Sequence, residues 1–78
     1  MNELILKEYN NDRVVYQYLP EGKGNPGEIE YNIKAQEATI LSRASGDQHG
    51  RYGHNATQKI KEYVKREILP LTAIQAWY

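Results

Sequence analysis

The sequence contains no cysteine and no phenylalanine, and its ten basic and ten acidic residues give a net charge of zero. The absence of cysteine excludes disulfides and zinc sites that need thiolate ligands. Zero net charge argues against an overall electrostatic attraction to nucleic acid or membranes. No apolar run approaches the roughly 20 residues of a membrane-spanning helix, and residues 1–6 do not resemble a signal peptide. We therefore predict a cytoplasmic protein with no membrane partner.

The apolar content is small for a chain of 78 residues, with 16 leucine, isoleucine and valine residues in total. Chains of this size bury only about 60–65% of their unfolded surface, so the core is thin. Seven tyrosines and one tryptophan must supply much of the buried area, unless a partner chain does so. We expect residues 1–78 to form a single α+β domain.

A β-hairpin is predicted at the start of the chain, with strands over residues 3–9 and 13–19. Asn10, Asn11 and Asp12 form its turn, since Asn and Asp tolerate left-handed backbone angles. Residues 20–27 contain two prolines and three glycines, which predicts a loop.

Residues 28–34 alternate between apolar and polar side chains, the pattern of a half-buried strand. Residues 38–43 are predicted as a fourth strand because the segment is short and follows a strong strand. A helix over residues 34–44 is the alternative, since it would align several apolar side chains on one face.

A helix is predicted from about Ala56 to Leu69, with Asn55 as its N-cap and Pro70 ending it. Glu67 interrupts the apolar stripe of this helix. Either the helix end projects past the sheet, or the Glu67 carboxylate meets a base or a tyrosine hydroxyl.

The predicted fold class is α+β, a small, mainly antiparallel sheet of about four strands with one C-terminal helix packed on one face. Residues 71–78 add a strand or cover an edge of the sheet. The charge is uneven along the chain, −3 over residues 1–37 and +3 over residues 38–78. Chance together with attraction within the chain is the favoured interpretation, and a dipolar surface that docks with a second copy or an anionic partner is the alternative.

The loop over residues 45–54 is a candidate anion site because it combines basic side chains with a following helix N-terminus. Arg51 can hold a phosphate or carboxylate through two hydrogen bonds. His54, Asn55 and Arg43 would assist it.

The same loop offers a candidate metal site formed by Asp47, His49 and His54, since imidazole and carboxylate are common metal ligands. Their spacing matches no metal signature, and two exposed histidines are the simpler interpretation. No cofactor is predicted.

Several tyrosines fall on predicted strands, where either a core role or a protein-interface role is expected, since tyrosine is enriched at interfaces. A candidate interface therefore consists of Tyr16, Tyr18, Tyr31, Trp77 and Tyr78. Nucleic acid is not the favoured partner of this surface, since Glu28 and Glu30 lie beside it and repel phosphate.

The run from Tyr18 to Glu28, together with the closing Trp77 and Tyr78, resembles short uncharacterised proteins of Gram-positive bacteria. The resemblance implies a bacterial source and no activity. The residues themselves favour a non-catalytic interaction module that self-associates through the tyrosine-bearing sheet face or a free edge. A small anion- or nucleic-acid-binding protein is the alternative, and a metal-dependent enzyme a third.

Overall fold

The fold is a five-stranded antiparallel sheet with one helix on one face, in a computed structural model that describes residues 1–76. The elements in chain order are β1 (Asn2–Tyr9), β2 (Arg13–Pro20), β3 (Gly27–Asn32), β4 (Glu37–Ser42), α1 (Arg51–Arg66) and β5 (Thr72–Gln75). The spatial order of the strands is β4-β3-β2-β1-β5. The α+β prediction is confirmed, and the fifth strand comes from the C-terminal segment. The predictions for Trp77 and Tyr78 lie outside the described residues.

Two turns that contain asparagine join β1 to β2 and β3 to β4. The side-chain oxygen of Asn10 accepts hydrogen bonds from the backbone N–H of Asp12 at 2.7 Å and of Arg13 at 2.9 Å. The side-chain oxygen of Asn32 accepts one from Ala35 at 3.0 Å. This second turn separates β3 from β4, so the alternative of a helix over residues 34–44 is wrong.

The core lies between the helix and one face of the sheet, since β-strand side chains alternate between two faces. Its fully buried side chains include Leu4, Tyr16, Tyr18, Ile29 and Ile60. The tyrosines thus replace the missing phenylalanine as the large core rings. The Tyr16 hydroxyl donates to the carbonyl oxygen of Pro70 at 2.7 Å, which satisfies its polar end.

The opposite face of the sheet is not covered by the helix, and we call it the open face. Its central Val15 is still only 7% exposed, because charged side chains from three strands meet around it. Arg13 on β2 forms ion pairs with Glu8 on β1 and with Glu30 on β3. Glu8 and Glu30 are the register partners of Val15 on either side.

The helix begins earlier and ends earlier than the sequence predicted. It starts at Arg51, so Asn55 lies within the first turns and is not the N-cap. It ends at Arg66 because Glu67 adopts a left-handed backbone with a φ of 58°. The N–H of Ile68 then donates to the Tyr63 carbonyl at 3.1 Å, as in a Schellman motif. Glu67 therefore ends the helix and is exposed, in agreement with the expectation that the helix end projects past the sheet. Its left-handed backbone was not predicted.

The prediction that Tyr16, Tyr18 and Tyr31 form an interface is corrected by their burial. Tyr16 and Tyr18 are 0% exposed and Tyr31 is 7% exposed. The reason is that the helix covers the face of the sheet that carries them, so these rings contact the core of their own chain and present almost no surface to a partner.

Candidate interaction surface

The loop that the sequence predicted as an anion site is filled by a carboxylate of the same chain. Asp47 is 1% exposed. Its Oδ1 accepts the N–H of Tyr52 at 3.1 Å, and its Oδ2 accepts the N–H of Gly53 at 2.9 Å. These are the free amides of the first helical turn, so Asp47 caps α1 from the preceding loop. The part of the anion-site prediction that required free amides is therefore wrong.

A tyrosine from the sheet completes this cap. The Tyr18 hydroxyl donates to Asp47 Oδ2 at 2.8 Å and accepts the N–H of Ala44 at 3.2 Å. Burial raises the pKa of Tyr18, and the nearby carboxylate raises it further against the opposing effect of the Ala44 N–H. Tyr18 is thus held as a protonated donor, and Asp47, with three donors, is a structural residue.

Gly53 allows this close arrangement, because a β-carbon at that position would lie 3.0 Å from Asp47 Oδ2 and 3.1 Å from the Tyr18 hydroxyl. An aspartate followed six residues later by a glycine, at the start of a helix, is the sequence feature that accompanies this contact, and the expectations for this loop did not include it.

The remaining candidate anion residues do not converge on one point, and Arg51 is the one that borders the shallow cavity of this loop. A cavity of about 260 Å³ is bordered by His49, Arg51 and Tyr52 together with Asp47 and its neighbours in the loop. Arg43 lies beside Gly50 at the start of the helix. The backbone carbonyl oxygen of Asn55 accepts a hydrogen bond from the Gln75 side chain at 2.9 Å.

The candidate metal residues Asp47, His49 and His54 are not brought together. Within residues 1–76, no group of three or more histidine and acidic side chains is arranged to hold a metal ion. Asp47 points into the protein toward Tyr18, whereas His49 and His54 are exposed.

Both edges of the sheet are open among the described residues, and they differ in length. β4 is six residues long and pairs only with β3. Five of its six residues are exposed, including Ile40 at 44% and Leu41 at 50%. β5 on the other edge is only four residues long. A long edge with exposed apolar side chains and neither lysine nor proline is a template for pairing with another strand.

The two flanks of α1 differ in how their charges are paired. On the flank toward β1 and β5, Glu62 lies 3.5 Å from Lys59 and 3.3 Å from Arg66. On the flank toward β4, Lys61 and Lys65 take part in none of the ion pairs formed within residues 1–76. The acidic residues of β3, Glu28 and Glu30, lie on the open face away from this flank. The acidic excess of residues 1–37 and the basic excess of residues 38–78 thus lie on different faces of the folded protein.

Comparison with protein-family models, curated proteins and solved structures finds no match for this chain. The resemblance to short proteins of Gram-positive bacteria stays a prediction. No helix within residues 1–76 is long and apolar enough to cross a membrane.

Proposed function

We propose that this protein is a non-catalytic interaction module that self-associates by pairing β4 with β4 of a second copy. The observation that supports the proposal is the outer edge of β4. No residue among 1–76 pairs with that edge, and the strand has the length of an ordinary central strand. Backbone N–H and C=O groups along such an edge gain partners when a second strand docks.

An antiparallel arrangement suits this strand. β4 begins with the acidic Glu37 and is followed by the basic Arg43. A two-fold axis through the middle of the strand brings the acidic start of one copy toward the basic end of the other. Exposed ion pairs contribute only about 0–1 kcal/mol each, so they orient the pair and the backbone bonds hold it.

The neighbouring apolar side chains add to the stabilisation. Ile40 and Leu41 lie near the centre of the strand and are about half exposed. Each Å² of apolar surface that they bury on pairing contributes about 25 cal/mol. A thin core makes such additional burial favourable for the folded state.

Sedimentation velocity across protein concentrations from about 10 μM to about 1 mM tests the proposal. We expect the weight-average mass to rise from monomer to dimer. Leu41→Lys should keep the protein monomeric, because a charge on an edge strand opposes pairing. Ile74→Lys is the matched control, since Ile74 is 60% exposed on the other edge strand and should leave the dimer intact.

Two results would contradict the proposal. A wild-type protein that stays monomeric at the highest concentration excludes self-association altogether. A dimer that survives Leu41→Lys but is lost in Ile74→Lys places the contact on β5 instead of β4. Circular dichroism of each variant checks that the fold is retained.

A further inference from the structure

We infer that the β4-paired dimer forms a cationic trough that binds an extended acidic peptide segment. This inference rests on the proposed self-association. A two-fold axis that joins two antiparallel edge strands is perpendicular to the sheet, so the helices of both copies remain on the same face. The flank of each α1 that faces β4 then faces the other copy across the joined strands.

Each wall of the trough is the flank of α1 that carries Lys61 and Lys65, which take part in none of the ion pairs formed within residues 1–76. At about 100° per residue, His54, Gln58, Lys61 and Lys65 share one flank of α1. A cavity of about 440 Å³ beside β3 already exists in one copy, and its lining consists of Tyr31, Ile33, Gln36, Lys61, Val64 and Lys65. This lining contains two positive charges and no acidic side chain.

The floor of the trough is apolar. Ala38 and Ile40 of β4 pair with Tyr31 and Ile29 of β3, so they lie on the face of the sheet that carries the helix. Ile40 is 44% exposed. Glu37, the acidic residue at the start of β4, has Asn32 as its partner and lies on the opposite face.

The width of the trough fits one extended chain. The helix packs mainly on β2 and β3, which places its axis about two strand spacings, or about 10 Å, from the two-fold axis. The two helix axes are then about 20 Å apart, and subtracting a helix width of about 10–12 Å leaves a gap of about 8–10 Å. An extended peptide fits this gap, whereas an α-helix is too wide.

The side chains favour an acidic peptide over single-stranded nucleic acid. Proteins that bind single strands stack bases on accessible aromatic rings. Tyr31, the aromatic ring lining the cavity, is only 7% exposed. A peptide that carries carboxylates toward the lysines and apolar side chains toward Ile40 matches both the walls and the floor.

Fluorescence anisotropy with a dye-labelled peptide of about eight alternating glutamate and leucine residues tests the inference, since that length spans the trough when extended. We expect binding at about 50 mM salt that weakens at about 500 mM. The same peptide with glutamine in place of glutamate, and a thymidine oligonucleotide of similar length, should bind at least about tenfold more weakly.

Two double variants of the same helix separate the trough from general charge. Lys61→Gln with Lys65→Gln removes two charges from the trough flank and should reduce peptide affinity about tenfold or more. Lys59→Gln with Arg66→Gln removes the same charge from the other flank and should change affinity less than about twofold. Equal losses in both variants, or tighter binding of the oligonucleotide, would overturn the inference.

Sedimentation of the same samples distinguishes failure of the trough from failure of the dimer. A dimer that does not bind the acidic peptide overturns the trough alone. A monomeric wild type overturns the proposed self-association, and peptide binding that persists in Leu41→Lys shows that one copy suffices and overturns the two-walled trough.

Discussion

The loop over residues 45–54 and the strand β4 both border the N-terminal half of the helix, yet they differ in how their polar groups are satisfied. In the loop, the one buried carboxylate has three donors from its own chain. In β4, the outer edge has no partner among the described residues. The buried carboxylate of the glycine-rich loop is thus satisfied by hydrogen bonds within the chain, whereas the outer backbone groups of β4 have no such partners among the described residues.

Residue types alone do not locate a binding site. Basic and acidic side chains in a loop suggest ligand chemistry, but a fold can use the same groups to cap its own helix. An edge strand has no distinctive residues, and its capacity for binding comes from unpaired backbone groups. Two experiments test this difference directly, and two more test the core and the end of the helix.

Asp47→Ala has the largest expected effect. It removes the cap of α1 and leaves the buried Tyr18 hydroxyl without its acceptor, so we expect a loss of about 2–4 kcal/mol in the free energy of unfolding. Urea denaturation measures it. Tyr18→Phe removes one of the same bonds and should cost about 1–2 kcal/mol. A loss below 1 kcal/mol for Asp47→Ala would mean that the loop is not closed by this bond network.

Hydrogen exchange tests whether the outer edge of β4 is unpaired in the monomer and pairs in the dimer. At low protein concentration, the outward amides of β4 should exchange quickly, and at high concentration their protection should increase about tenfold or more as the dimer forms. The amides of Tyr52 and Gly53 bond to Asp47 within one chain, so their protection should stay unchanged. Equal changes in both regions would show that concentration affects the whole fold.

The stability of the core should fall at high pH. Burial raises the pKa of Tyr16 from 10.0 to about 12, and the neighbouring Tyr63 adds to this. Because the folded-state pKa is higher, this stabilisation is complete below the unfolded pKa of about 10 and is lost as pH rises toward 12. Tyr16→Phe should flatten part of the decrease in urea midpoints above pH 10, the rest coming from Tyr18, Tyr52 and Tyr63, whose pKa values are also raised. An unchanged slope would rule out Tyr16 as a contributor.

The smallest expected effect is at the end of the helix. Glu67 holds a left-handed backbone with a φ of 58°, a conformation that glycine adopts without steric cost. Glu67→Gly should raise the free energy of unfolding by up to about 1 kcal/mol. Glu67→Ala removes the carboxylate but keeps the steric cost, and it should not stabilise the protein. A gain from alanine equal to that from glycine would point to charge as the cause.

Local patterns predicted the parts of the fold that depend on near neighbours. The alternation of Ile29 and Tyr31 identified β3, and the Asn10 turn identified the first hairpin, because both signals lie within a few residues. The helix start was misplaced because its cap, Asp47, lies outside the usual N-cap position. Its bond to Tyr18 joins residues 29 positions apart, and no local pattern encodes such a contact.

The candidate surface could be predicted only in outline. The sequence indicated a free edge as one route to self-association, but it could not say which strand lies at the edge. That depends on the strand order, which places β4 and β5 on the outside although three other strands come before β4 in the chain. The sequence could not say which tyrosines lie in the core and which at an interface, because nothing in their spacing shows which face the helix will cover.

The sequence by itself determined an α+β chain without disulfides, with a small apolar core, tyrosine as its large ring and opposite charges in its two halves. These properties follow from composition and from short-range periodicity. Which tyrosines are buried, the capping of the helix N-terminus by Asp47 and the unpaired outer edge of β4 became evident only from the folded structure. Each of these depends on contacts between residues far apart in the chain, whose geometry is fixed when the helix packs on the sheet.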